Sequence, residues 1–303
     1  MFLPMPSPKV LGLYKNYLPQ TPGFSADMMG WMAKEAERAK LTPVGYTGGL
    51  MFDEMSVQEA LQLNYRNGQA DFVGVVEEGQ FGKVHSMLRK GTCDTELATH
   101  ELQLMFLGTT GFRFPFAHFP TRCSEAATLY TIAWEAVRWL LKSNFKVIYM
   151  CFDGAQINRT FVEMHFHTAD EAVKARFTMN PVSTEPMVFL MDPSHLIKKL
   201  RNNIYGTITG KRCLIVDNKV ISWHHIRDAF EWDFAANSKR EHHHLTQGHM
   251  FLDSASKMRN SLALEVLNED MLSLLKKYRQ VMNLGTTIDG TISFIENTAA
   301  IIN

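Results

Sequence analysis

The strongest constraint on the fold comes from residues 145–159, which have the sequence FKVIYMCFDGAQINR. A run of apolar and β-branched residues from Val147 to Phe152 stops abruptly at Asp153-Gly154. A continuous run of this kind that ends at a turn signal predicts a strand buried on both faces. Because the carboxyl ends of such strands carry catalytic and binding groups in α/β folds, Asp153 is a candidate site residue.

A second segment ends in the same way. Residues 50–54, LMFDE, place Asp53 at the end of an apolar run. Two strand-end carboxylates lying side by side would suit a divalent cation, because Mg²⁺ takes one or two carboxylates together with water and substrate phosphate oxygens. The alternative is that each aspartate caps the helix or turn that follows it.

Composition sets broad limits on the function. The chain has 303 residues and is 46% hydrophobic, which is enough for one large core or two smaller ones. Lys plus Arg and Asp plus Glu number 31 each, so net charge neither favours nor excludes nucleic acid. The four cysteines show no C-x-x-C spacing, which argues against a zinc finger or a disulfide framework. No apolar run reaches the roughly 18 residues of a membrane span, and the apolar pattern at the chain end leads us to expect a truncated protein.

The order of the predicted elements indicates an α/β fold. A helix over 26–40 precedes strand-like runs that end at Asp53 and that cover 70–77 and 102–107. A helix over 121–142, the strand ending at Asp153 and a short strand at 187–191 follow. Three antiparallel strands, a helix and a parallel strand form the order of an RNase H-like fold, in which the first and fourth strands place their carboxylates next to each other.

Residues 206–280 have a polar, mainly helical pattern, which includes a predicted continuous helix over 255–278, and a last helix is predicted over 289–302. The triplet His242–His244 could ligate a metal together with His249. Because no second cluster of metal-binding residue types supports such a site, surface histidines are the favoured interpretation.

Several segments resemble the P-element-type transposases, including the THAP-linked members found in animal genomes. They are FDEM at 52–55, DGAQINR at 153–159 and, most specific of all, MDPSHLIKKLRNNIY at 191–205. Supporting segments follow in the family's order: LPMPSP at 3–8, Trp223–Ile226, LTQGH at 245–249, KMRNSLALEVL at 257–267 and TISFIENTAAIIN at 291–303. The resemblance covers nearly the whole chain.

This resemblance implies an RNase H-like DDE/D catalytic core, a mixed sheet flanked by helices, which is interrupted after its fifth strand by a mainly helical insertion that binds GTP. The corresponding domains are an N-terminal lead-in and helix (1–44), the core (45–205), the insertion (206–282) and the start of a C-terminal RNase H-like segment (283–303). Asp53 and Asp153 match the first two catalytic acids and would hold Mg²⁺ or Mn²⁺.

The third catalytic acid of the family is normally a glutamate, and here the matching position is Asp289. Glu296 lies one or two turns further on, and Glu265 is a more distant option. We assign Asp233 to a contact with the guanine base. His195 would orient phosphate or a metal-bound water, or else pack under the edge of the sheet.

The function implied by the resemblance is metal-dependent cleavage and transfer of DNA strands, with transposon ends and target DNA as partners, no membrane and a nuclear site of action; a homo-oligomer is left open. Three departures favour an alternative, a catalytically inactive, co-opted binding or assembly protein. No zinc spacing precedes residue 53, the region between Asp192 and Asp289 is short for the complete insertion, and Asp289 is one methylene shorter than glutamate. A third class, an RNase H-fold nuclease acting on RNA, is disfavoured only by the resemblance.

Overall fold

The computed structural model describes residues 21–66, 69–76, 96–122, 125–166, 177–210, 212–236 and 239–302. The chain divides into two compact units, residues 1–191 and 192–303. Each unit has its own hydrophobic core, one built around the strands of a sheet and the other built mainly from helices.

The described part of the first unit contains three α-helices, a short 3₁₀ helix (Pro43–Tyr46) and eight strands. They are α1 (Ala26–Arg38), α2 (Ala126–Lys142), α3 (Gln156–Glu163), β1 (Thr47–Ser56), β2 (Gln62–Arg66), β3 (Gln69–Val73), β4 (His100–Gly108), β5 (Arg113–Thr121), β6 (Lys146–Phe152), β7 (Phe177–Met179) and β8 (Pro186–Met191). Six of these described strands form one mixed sheet in the order β5-β4-β1-β6-β8-β7.

Strand β1 lies where the sheet changes from antiparallel to parallel pairing. It pairs antiparallel with β4 on one side and parallel with β6 on the other, and β6 pairs parallel with β8. Parallel neighbours need a crossover connection, and helix α2 provides it between β5 and β6. The predicted mixed sheet flanked by helices is confirmed.

Aromatic side chains pack directly below the ends of β1 and β6. The rings of Phe52 and Phe152 are stacked with their centroids 5.1 Å apart. Phe161 of α3 meets both rings edge-on at 5.8 Å and is completely buried. Because aromatic rings bury large apolar areas and prefer such edge-to-face contacts, this cluster fixes α3 against the strand ends.

Two strand predictions for the first unit are wrong. The run at 70–77 was expected in the sheet, but β3 pairs with β2 in a separate hairpin, and residue 77 lies outside the described residues. The third of the three antiparallel strands is β5, which follows β1 and β4 and contains Pro115 and Pro120. Prolines argue against a central strand, but β5 lies at an edge of the sheet, where a missing N–H is tolerated. Helix α2 therefore begins at Ala126 and not at Thr121.

The second unit is mainly helical. Its described elements are α4 (Pro193–Tyr205), β9 (Leu214–Val216), β10 (Lys219–Ile221), α5 (Trp223–Ala235), α6 (Gln247–Met250), α7 (Ser254–Met258), α8 (Asn260–Val266), α9 (Glu269–Val281) and α10 (Asp289–Ile302). Trp223, Leu274 and Ile295 are completely buried in its core. Among the described residues, no helix has the length and apolar character needed to cross a membrane.

The pattern of the second unit departs from the prediction at two places. The hairpin of β9 and β10 was missed, although its turn residues Asp217 and Asn218 both have positive φ values, 51° and 59°, as a two-residue type I′ turn requires. The helix predicted over 255–278 is interrupted and becomes α7, α8 and α9. Asn268 begins α9, because its Oδ1 accepts a hydrogen bond from the N–H of Met271 at 3.0 Å.

The packing of two helices bears on the domain assignment. Helix α4 was assigned to the catalytic core, and its Ile204 is part of the second core. Helix α10 was assigned to a returning C-terminal segment, and its Ile292 and Ile295 are part of the same second core. The division by packing falls between residues 191 and 192, while the functional boundaries at 205/206 and 282/283 stay predictions.

Candidate metal centre

Asp53 and Asp153 lie just beyond the point where the parallel pairing of β1 with β6 ends. The last aligned pair is Met51 with Cys151, and each aspartate is two residues further along the chain. Asp53 is still within β1, and Asp153 directly follows the last residue of β6. Parallel strands bring their carboxyl ends to the same edge, so the two aspartates come to one place in the first unit.

Both aspartates line one cleft of about 240 Å³. Its wall comes from β1, β4, α2 and the segment that begins α3, and consists of Phe52, Asp53, Glu54, Ser56, His100, Leu102, Leu129, Asp153, Ala155, Ile157 and Asn158. The sequence analysis did not single out Glu54, His100 or Asn158 as site residues. Glu54 and Asn158 belong to the FDEM and DGAQINR motifs and could have been found there, whereas nothing in the sequence around His100 marks it.

Hydrogen bonds hold the carboxylates of the cleft in defined orientations. Oδ1 of Asp153 accepts from the N–H of Ala155 at 2.8 Å and from Nδ2 of Asn158 at 2.7 Å. Oδ1 of Asp53 accepts from the N–H of Glu54 at 3.0 Å, and Oε1 of Glu54 accepts from the hydroxyl of Thr121 at 2.7 Å. Asp153 therefore closes the turn before α3, as the capping alternative expects, and also lines the cleft.

The donor types of the cleft fit a hard divalent cation. Asp53 and Asp153 are carboxylates, the ligands that Mg²⁺ and Mn²⁺ prefer, and they lie at one edge of the sheet. Across the described residues, however, no group of three or more His, Cys, Asp or Glu side chains is arranged to hold a metal ion. Glu54 lines the same cleft, and its Oε1 is engaged by the hydroxyl of Thr121.

The other acids considered for the third catalytic position lie in the second unit, and each has a basic partner there. Asp289 begins α10 and is 2.6 Å from Nη1 of Arg279, while Glu296 is 2.9 Å from Nζ of Lys276. Oε2 of Glu265 lies 2.6 Å from Nε2 of His249. These contacts describe each acid within its own unit, and the choice among them stays a prediction.

Asp233, assigned to guanine, is 1% exposed and holds a loop of the second unit. Its Oδ1 accepts from the N–H of Glu241 at 2.6 Å and its Oδ2 accepts from the N–H of His242 at 3.2 Å. The guanidinium of Arg240 lies 3.6 Å from the same carboxylate. Guanine recognition by Asp233 stays a prediction, and it would require this loop to open.

The preference for surface histidines is wrong for two of the four. His242 and His249 are 1% and 4% exposed, while His243 and His244 are exposed. Burial lowers the pKa of His249, and the neighbouring Glu265 carboxylate acts in the opposite direction. Nδ1 of His249 accepts from the N–H of Thr246 at 3.0 Å and thereby caps α6, while Nε2 of His242 donates to the carbonyl oxygen of Glu265 at 2.9 Å.

At the start of α4, Asp192 has a capping role. Its Oδ1 accepts from the N–H of Ser194 at 2.8 Å. Nε2 of His195 lies 3.8 Å from Oδ2 of the same aspartate. The phosphate-orienting role considered for His195 stays a prediction.

A mixed sheet in this strand order, with two acids just beyond the last aligned pair of adjoining parallel strands, has the RNase H-like fold. Residues 20–165 match a family model described as "TNP-like, RNase H N-terminal domain". A search of curated protein sequences finds no match.

Among solved structures, the chain is similar to the Drosophila P element transposase of a strand transfer complex, with a TM-score of 0.69 and 16% sequence identity. The similarity covers 97% of this chain and 58% of that one, so the chain spans less than two thirds of that transposase. Together the two matches confirm the predicted resemblance to P-element-type transposases with an RNase H-like core.

Proposed function

We propose that the first unit is a catalytic domain for metal-dependent cleavage and transfer of DNA strands. The observation that carries this proposal is the meeting of Asp53 and Asp153 in one cleft, just beyond the last aligned pair of two neighbouring parallel strands. The similarity to a transposase in a strand transfer complex supports DNA, as transposon ends and target, as the substrate class. A nuclear site of action is part of the same proposal, since it follows from a DNA substrate.

Asp53 and Asp153 would hold Mg²⁺ or Mn²⁺. When bound, the metal would lower the pKa of an attacking water or 3′-hydroxyl and stabilise the leaving oxygen. The chain contributes the placement of the two carboxylates. The aromatic cluster of Phe52, Phe152 and Phe161 sets the positions of both strand ends, so that the acids are in place before substrate arrives.

The test is titration of Mn²⁺ into the purified chain, followed by isothermal calorimetry. We expect binding in the wild type and its loss in the Asp53→Ala and Asp153→Ala variants. Glu37→Ala, which removes an exposed acid of α1, is the control and should bind as the wild type does. Unchanged binding in both aspartate variants, or no binding in the wild type, would overturn the metal site.

Three further variants address the third acid. Asp289→Ala, Glu296→Ala and Glu265→Ala each remove a carboxylate of the second unit. The one whose loss weakens Mn²⁺ binding, in a chain that stays folded by circular dichroism, would supply the third ligand. If one of the three variants weakens Mn²⁺ binding, the wild type and that variant would then be assayed for nicking of duplex DNA.

A second candidate function is a catalytically inactive, co-opted binding or assembly protein. It is favoured by the absence, among the described residues, of a group of three or more His, Cys, Asp or Glu side chains arranged to hold a metal ion. Wild-type protein that binds DNA in a gel-shift assay but does not bind Mn²⁺ would establish this alternative.

We further propose GTP binding by the second unit and self-association of the chain, which rest on the resemblance to the transposase family. The engagement of Asp233 with its own loop does not by itself fit a guanine contact, so we derive no step through the nucleotide. Calorimetry with GTP, and with ATP as the control, tests the first proposal. Light scattering of the purified chain tests the second.

A further inference from the structure

The side-chain NH₂ group of Asn158 donates both of its hydrogen bonds to Asp153. Its Nδ2 donates to Oδ1 of Asp153 at 2.7 Å and to the carbonyl oxygen of the same residue at 3.3 Å. Both partners are acceptors, so the NH₂ end of the amide must face Asp153, and the orientation of the amide is determined. Asn158 is 8% exposed, and its contact is therefore shielded from competition by bulk water.

The position of Asn158 is itself fixed by the core. Asn158 and Phe161 are three residues apart on α3, so they lie on the same face of the helix. Phe161 is completely buried and meets Phe52 and Phe152 edge-on at 5.8 Å. The aromatic cluster thus holds α3, α3 holds Asn158, and Asn158 holds the Asp153 carboxylate.

The local backbone completes the arrangement. Oδ1 of Asp153 also accepts from the N–H of Ala155 at 2.8 Å, so one oxygen receives two donors from the start of α3. Two donors on the same oxygen determine the rotation of the carboxylate about its side-chain torsions. Partners of this kind behind a metal-ligating carboxylate typically matter about 10- to 100-fold in metal affinity.

We propose that Asn158 is the positioning residue of Asp153: it turns the carboxylate so that it presents a ligand to the divalent cation in the cleft. This inference rests on the proposed metal-dependent function and adds to it a residue that acts through the Asp153 carboxylate. Replacement of Asn158 should therefore weaken metal binding more than a loss of folding stability alone would weaken it.

The experiment compares Asn158→Leu, which removes both donors at similar volume, with Asn180→Leu. Asn180 is the matched control because it is a buried asparagine of the same unit, 2% exposed, whose side chain bonds to Val182 and Ser183 and does not line the cleft. We expect Asn158→Leu to weaken Mn²⁺ binding by about 10- to 100-fold and Asn180→Leu to leave it within about twofold, even if both lower the melting temperature.

The outcomes separate the two proposals. Loss of Mn²⁺ binding in Asp153→Ala with wild-type affinity in Asn158→Leu would overturn the positioning role and leave the metal site intact. No binding in the wild type would overturn the metal site and, with it, the role of Asn158. If Asn158→Leu does not fold, Asn158→Ala replaces it, because a smaller side chain is tolerated more easily at the wall of a cleft.

A second readout does not depend on the metal. In a crystal structure of the Asn158 variant, the positioning role predicts that the Asp153 carboxylate rotates and that its Oδ1 no longer lies 2.8 Å from the Ala155 nitrogen. An unchanged carboxylate in that structure would show that the Ala155 N–H alone is sufficient, and would refute the proposal.

Discussion

Replacement of His165 by asparagine should reduce the sensitivity of the first unit to acid. The imidazole lies among the rings of Tyr130, Phe161 and Phe189, with centroids 4.9 Å away from its own. Its Nε2 accepts from Nε1 of Trp134 at 3.1 Å, which leaves Nδ1 to donate to the carbonyl oxygen of Phe161 at 2.8 Å. This pattern needs a neutral ring, because a protonated Nε2 could not accept.

Burial lowers the pKa of His165, and the backbone hydrogen bonds at Phe161 and Val162 oppose this effect. The unfolded chain therefore takes up a proton at a higher pH than the folded unit does. The contribution of His165 to the free energy of unfolding is fully present above the pKa of the unfolded chain, about 6.5, and is lost as the pH falls below that value. If the folded ring took up no proton, the free energy of unfolding would fall by at most about 1.3 kcal/mol between pH 7 and pH 5.5.

The assay is denaturation monitored by hydrogen exchange with mass spectrometry. Peptides from β6 provide the readout, so that the first unit is measured alone. His165→Asn keeps a donor for the Phe161 carbonyl and cannot be protonated, so its stability should fall less than that of the wild type between pH 7 and pH 5.5. His243→Asn, at an exposed position, is the control. Parallel pH profiles for wild type and His165→Asn would refute this account of the buried ring.

Four further substitutions test the packing and one helix cap. A Cβ at Gly49 would lie 2.0 Å from the Tyr149 ring, so Gly49→Ala should prevent stable folding. A Cβ at Gly30 in α1 would have no atom of the described residues within 4 Å. Gly30→Ala should therefore raise the free energy of unfolding by about 0.5–1 kcal/mol in urea denaturation. Phe161→Ala should cost about 3–5 kcal/mol in the first unit and abolish Mn²⁺ binding; a loss below about 1 kcal/mol would contradict the described core. Asn268→Ala should cost about 0.5–2 kcal/mol through the lost cap of α9, measured by thermal unfolding.

The strand ends could be predicted because their signal is local. The run from Val147 to Phe152 and the turn after it are determined by adjacent residues, and Asp153 follows the strand in the structure as expected. Parallel register then brings Asp53 and Asp153 to one cleft without further information. The same local pattern could not say which strand pairs with which, so β3 was placed in the sheet when it pairs with β2.

Other errors arose where tertiary position overrides a residue's usual preference. Pro115 and Pro120 argue against a strand, yet β5 lies at an edge of the sheet, where no second ladder needs their N–H. His242 and His249 have the polarity of surface residues, but each makes a hydrogen bond inside the second unit, His242 to the carbonyl oxygen of Glu265 and His249 to the N–H of Thr246. Burial of this kind depends on contacts that are distant in sequence.

The third acid shows why ion pairing alone does not decide between an active and an inactive centre. Asp289 is paired with Arg279 and Glu296 with Lys276, and the basic partners are 40% and 47% exposed. Ion pairs at such exposure contribute only about 0–1 kcal/mol, because water screens them and long side chains lose freedom in forming them. The presence of the pairs is therefore compatible with both functions, and the Mn²⁺ response of the Asp289 and Glu296 variants, read against that of Asp153→Ala, separates them.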